Sequence, residues 1–223
     1  MDYKGYEIGI ERDFNPLNPR TEWDNLGTMV CFHRKYALGD KHDLKSSDFN
    51  GWDGLRRHLV KQGAVVILPL YLYDHGIQTI STKSFIGRAH HADWDSGQVG
   101  FIYIGRETVL KEFGHKRITA KIREKLTTYL ENEVKTYDAY MTGEVFGYEV
   151  CKDGEVLDSC GGYYGDEGRL FAVEDAKGIV DWYVAKTHRE RLGRLKQAIK
   201  SRIPLEHRVA YLEKAGEKIL QKS

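Results

Sequence analysis

Ala64-Val65-Val66-Ile67-Leu68-Pro69-Leu70-Tyr71-Leu72-Tyr73 is the stretch on which the fold turns. It is β-branched, aromatic and apolar at both parities, the pattern of a strand with both faces covered. Pro69 cannot donate to a ladder, so a bulge or a frayed edge is expected beside it. Asp74-His75-Gly76 then turns the chain, and Ile77–Ser81 is placed to pair back as a hairpin.

Working outward, residues 6–10 and 28–32 read as short strands, and residues 98–104 as the next strand after the hairpin. Between them, residues 13–20 form a loop by their Asn and Pro content. A short helix is expected over residues 52–60, with Trp52, Leu55 and Leu59 on one side and Gly63 as its stop. Arg106–Phe113 reads as another, ended by Gly114. From Thr119 to about Ala139 the apolar residues Ile122, Leu126, Leu130, Val134 and Tyr137 recur at helical spacing, with Thr119 as N-cap. Asp153-Gly154 between two alternating segments predicts a hairpin with a type I′ turn. Gly161-Gly162-Tyr163-Tyr164-Gly165-Asp166 is expected to leave the sheet with unusual backbone freedom. Ala176, Val180, Tyr183, Leu192, Leu195 and Ile199 then trace a long helix, and Pro204 separates it from a last one carrying Leu205, Val209, Leu212 and Ile219. The fold class is α+β: a mostly antiparallel sheet under a long amphipathic helix, with a C-terminal helical hairpin. Residues 1–168 make the core domain and residues 169–223 the basic hairpin.

Lys and Arg number 34 against 33 Asp and Glu, a net charge of +1, so bulk electrostatics selects neither nucleic acid nor membrane and local runs must decide. Three cysteines without a Cys-x-x-Cys pair argue against a disulfide scaffold or a thiolate zinc site and for buried free thiols. The first residues carry no apolar leader core, and no apolar run approaches a membrane span. The expected setting is the cytoplasm of a host cell, without a membrane partner.

Trp23-Asp24-Asn25-Leu26-Gly27-Thr28-Met29-Val30-Cys31-Phe32-His33-Arg34, Leu68-Pro69-Leu70-Tyr71-Leu72-Tyr73-Asp74-His75 and Trp94-Asp95-Ser96-Gly97-Gln98-Val99-Gly100-Phe101-Ile102-Tyr103 resemble a family of proteins carried by bacteriophages, plasmids and related mobile elements. The resemblance runs in order over roughly residues 5 to 165 and carries no residue roles with it. Gly87-Arg88-Ala89-His90-His91-Ala92-Asp93 is longer than the link such proteins have, and the basic C-terminal hairpin is not a part associated with them. What the resemblance implies is context: an accessory protein that disarms a host defence system. Such a protein, anti-CRISPR-like, would bind a defence effector or its guide RNA or DNA.

Two constellations carry the chemistry. In the first, Asp74, His75, His90, His91, Asp93 and Asp95 offer carboxylates and imidazoles suited to a divalent metal such as Mg²⁺, Mn²⁺ or Zn²⁺. A metal-bound water could then attack a phosphodiester, with His33 as base, Arg34 holding phosphate and Asp95 in the catalytic set. On that reading the protein is a metal-dependent nuclease. The competing reading is structural: Asp95-Ser96-Gly97 is an Asx turn opening a strand, and Asp24 and Asn25 satisfy loop backbone. In the second constellation, Lys186, Arg189, Arg191, Arg194, Lys196, Lys200 and Arg202 face a single acid, Glu190. Such a helix could lie along a phosphate backbone, dock on an acidic protein, or present a solvated face. No Gly-x-Ser-x-Gly elbow and no Gly-Lys-Ser/Thr phosphate loop occurs, which removes two enzyme classes.

Overall fold

The computed structural model describes residues 1–114, 117–202, 204, 207–210 and 214. In chain order the elements are β1 (Asp2–Tyr3), β2 (Tyr6–Arg12), α1 (Pro19–Glu22), β3 (Thr28–Cys31), α2 (Gly51–Lys61), β4 (Ala64–His75), β5 (Ile77–Ser81), α3 (Ala92–Asp95), β6 (Ser96–Gly105), α4 (Arg106–Phe113), α5 (Ala120–Thr142), β7 (Val145–Lys152), β8 (Glu155–Tyr164) and α6 (Gly165–Arg202). The fold is α+β, with one four-stranded sheet ordered β3-β6-β4-β5 and another ordered β1-β2-β7-β8. The chain divides into two compact units, Ile10–Tyr148 with Cys160–Ala172, and Met1–Gly9 with Glu149–Ser159 and Val173–Ser223. The units interleave along the chain, and α6 runs from Gly165 to Arg202.

In the larger unit β4 is internal, as its two apolar faces require. Val66, Leu70 and Leu72 join Met29, Ile102 and Ile104 on one face, against Leu126, Leu130, Val134 and Tyr137 of α5. Ile67 turns the other way, with Val30, Phe101 and Tyr103, against Leu55 and Leu59 of α2. This alternation follows from the two-residue period of the strand, interrupted at its register shifts, and it sandwiches the antiparallel sheet between two helices. Pro69 stands before Tyr71, the first residue of β4 that pairs with β5, so its missing N–H falls where the strand is flanked on one side. The expected bulge is there, as a register shift between Leu70 and Tyr71.

Local chemistry sets the ends. Thr119 accepts the Ile122 N–H and starts α5. Gly114, at φ 63°, ends α4 in the left-handed conformation that costs glycine nothing. In the smaller unit, Tyr6, Ile8, Val150, Ala176 and Val180 are buried, and Lys4 pairs with Asp181 at 2.7 Å. Tyr183 donates its hydroxyl proton to the Leu157 carbonyl at 3.0 Å.

The glycine-rich exit expected after residue 160 is not loose: β8 continues to Tyr164 and α6 starts at Gly165. The Gly162 N–H donates to Asp13 at 3.0 Å and the Gly165 N–H to the Glu144 carbonyl at 2.7 Å, so both ends of the segment are tied. The expected last helix lies mostly outside the described residues. All three cysteines are free, but only Cys31 is buried, where loss of solvent pushes its thiol up to about 12. Among the described residues no helix is long and apolar enough to cross a membrane.

Asp138 gives this unit a pH dependence. Its carboxylate accepts the Ile80 N–H at 2.7 Å, joining α5 to β5. Burial nevertheless dominates and pushes its pKa from 3.8 up to about 6. The folded state therefore holds the proton more tightly than the unfolded chain. The associated stability is complete below 3.8 and is lost as pH rises towards about 6. A shift of this size corresponds to about 3 kcal/mol, reduced by solvent screening of a partly exposed group to roughly 1–2 kcal/mol. Asp138→Asn should stabilise the protein by roughly that amount at about pH 7.5 and by almost nothing at about pH 3.5. Urea unfolding at the two pH values measures this; an equal effect at both would mean that ionisation is not its source.

Candidate functional site

The segment after β3, the carboxyl end of β4, α3 and the start of β6 surround an open cleft of about 1340 Å³ in the larger unit. His33, Arg34, Asp74 and Asp95 all line it, so four of the residues singled out in the sequence do converge. His75, His90, His91 and Asp93 are not among its lining residues.

Strand alternation explains the split between Asp74 and His75. Asp74 and His75 are neighbours on β4 and point to opposite faces. Asp74 accepts from Gln78 Nε2 and from the Tyr36 hydroxyl, each at 3.0 Å. Those two bonds hold its carboxyl below the ordinary aspartate range. His75 Nδ1 instead meets Asp95 Oδ2 at 2.8 Å. His90 and His91 contact each other ring to ring at 3.8 Å, and His91 (φ 53°) ends the link ahead of α3. Asp93 is exposed on α3. Among the described residues no three His, Cys, Asp or Glu side chains are grouped to hold a metal ion. The expected metal set of Asp74, His75, His90, His91, Asp93 and Asp95 therefore does not assemble among the described residues.

The expected base is also committed. His33 Nδ1 accepts the backbone N–H groups of Lys35 and Tyr36, at 3.3 and 3.2 Å, so the proton of the neutral ring sits on Nε2. The ring stacks on Tyr36 at 4.9 Å with planes 2° apart. His33 thus presents a donor rather than a base. Arg34 beside it is exposed.

The Trp23–Met29 motif serves structure. Arg20, 7% exposed, forks onto Asp40 at 2.8 and 2.6 Å, meets Glu133 at 2.9 Å and donates to the Gly27 carbonyl at 2.7 Å. Burial disfavours its charge, but the Asp40 and Glu133 contacts outweigh that and raise its pKa. Asp40 also accepts the Met29 N–H, and Glu133 those of Leu26 and Gly27. Asn25 donates to the Pro19 and Trp23 carbonyls, the loop-satisfying role expected of it. Arg20 carried no signal in a Pro/Asn loop. Glu133 did: it lies three residues after Leu130 and four before Tyr137, a charge on an apolar stripe that implies a buried partner.

Comparison with family models, curated proteins and solved structures found no match to this chain.

The second constellation lies on α6, in the smaller unit. Lys186, Arg189, Arg191, Arg194, Lys196 and Lys200 are all exposed, and none forms an ion pair among the described residues. No residue from 184 to 198 is buried. Helical periodicity sorts the six. Lys186, Arg189, Lys196 and Lys200 follow one another at steps of three, seven and four residues and share one line along the helix. Arg191 and Arg194 fall on another side. Trp182 heads the first line, half-exposed, with Lys186 Nζ 5.0 Å from its ring. The line spans about 21 Å of helix, the axial length of roughly six base pairs.

Proposed function

We propose that this chain is a nucleic-acid-binding accessory protein of a phage or mobile element, acting against a host defence system by engaging nucleic acid or a nucleoprotein effector. The observation that carries the binding half is the line of Lys186, Arg189, Lys196 and Lys200 on a solvated stretch of α6. Cations spaced along one helix edge can each displace a condensed counterion from a phosphate backbone, and that release drives association. The defence half is supported by the resemblance of the three motif segments to mobile-element proteins.

The test is binding of a labelled duplex over a salt series, read by fluorescence anisotropy. Four phosphate contacts give a log–log salt slope of roughly −3.5, so affinity should fall about 100-fold between about 50 and 200 mM salt. The variant K186Q/R189Q/K196Q/K200Q should flatten that slope by about one per cation removed, while R191Q/R194Q changes it less. A quadruple variant that keeps the native slope would reject α6 as the binding element.

A further inference from the structure

The cleft of the larger unit has a ligand chemistry of its own. Its carboxylates are engaged: Asp40 by Arg20, Asp95 by His75, and Asp74 by Gln78 and Tyr36, with Lys35 close enough to help hold Asp74 charged. Arg34 and Lys41 line the same cleft, are exposed, and make no ion pair among the described residues. His33 adds an Nε2–H donor. The aromatic content is as telling as the charge. Trp94 lines the cleft while 88% exposed, an uncommon position for a large ring held on a turn of helix, and Phe32 and Trp52 line it further along. Ser96 fixes that turn by donating its hydroxyl proton to the Ala92 carbonyl at 2.6 Å.

Guanidinium and ammonium groups without an ion pair among the described residues, lining the same cleft as an exposed indole, match a ligand that carries both phosphate and base. Among the described residues no three His, Cys, Asp or Glu side chains are grouped here for a metal, and an exposed indole finds its partner in the open face of an unpaired base. A cleft of about 1340 Å³ has room for more than one nucleotide. We propose that this cleft binds a short single-stranded nucleic-acid segment, with Trp94 stacking on a base, Arg34 and Lys41 holding its phosphates, and His33 Nε2–H donating to it. This site rests on the cleft and stands whether or not α6 grips a duplex.

The experiment is calorimetric titration of the full chain with unlabelled trithymidylate and triuridylate carrying a 5′-phosphate. One stacked base contributes enough that Trp94→Ala should weaken binding about tenfold, whereas Trp94→Phe, which keeps a ring, should stay within about threefold. R34Q and K41Q should each reduce the salt slope by about 0.7, the single-strand value. The α6 variant K186Q/R189Q/K196Q/K200Q should bind the trinucleotides as the native chain does. Because Trp94, Arg34 and Lys41 are exposed, these variants should keep the native circular dichroism. The inference is overturned if the native chain binds neither trinucleotide at about millimolar concentration, if W94A and R34Q/K41Q bind like native, or if the α6 variant loses the binding. The α6 variant separates the two sites: a lost duplex slope with intact trinucleotide binding supports both, and the converse rejects both.

Discussion

Arg20→Ala is expected to cost about 3–5 kcal/mol, a large share of the stability of a domain of this size. The guanidinium is the only cation facing Asp40 and Glu133 among the contacts described, and its side chain is 1% exposed. Removing it leaves two carboxylates, 21% and 16% exposed, without their counter-charge in a poorly solvated place. The Gly27 carbonyl loses its donor as well. Arg20→Lys should recover only part of the loss, because an ammonium cannot reproduce the fork onto both Asp40 oxygens and still reach Glu133. A buried triad can often be exchanged for apolar residues at little cost. Here it should not, since Asp40 and Glu133 also accept the Met29, Leu26 and Gly27 N–H groups, which would be orphaned. Urea denaturation of R20A, R20K and the apolar triple variant orders these costs. An R20A midpoint equal to native would show the network to be ornamental.

Gly100→Ala should cost roughly 3 kcal/mol, the upper end for overpacking, because the obstacle is backbone. A Cβ on Gly100 would lie 2.0 Å from the Val30 carbonyl oxygen and 2.9 Å from the Cys31 Cα. Either β3 moves away from β6 or the pairing of Cys31 with Gly100 is lost. Gly97, three residues earlier in the same motif, has nothing within 4 Å of its added Cβ and no positive φ. Gly97→Ala should therefore change stability by less than about 0.5 kcal/mol. Thermal unfolding of the pair tests the reading that the second glycine, and not the first, is dictated by the close approach of strands.

These two sites mark what was legible in the sequence. The apolar runs of β4 and the stripe of α5 could be read because each is a local period imposed by a buried face. Pro69 announced its bulge, Thr119 its cap and Gly114 its helix end, since each acts within a few residues. The strand order β3-β6-β4-β5 was not legible, because register between segments separated by a helix is set by packing and not by adjacency. The cleft was half legible. His33, Arg34, Asp74 and Asp95 do share a rim, but the parity of β4 and the turn of α3 sent His75, His90, His91 and Asp93 elsewhere. Arg20 gave no hint, and its acid partners lie 20 and 113 residues away. Glu133 and Asp138 stood on the helix face as charges among apolar residues, which was the signal to look for both half-buried carboxylates.

That 113-residue span has a consequence for biosynthesis. A ribosome must extend the polypeptide well past Glu133 before Arg20 can surrender its hydration shell to a pair of acids. Until then the loop around Arg20 lacks the acid that anchors it, and contacts of such long sequence separation are the ones whose loop closure folding meets late.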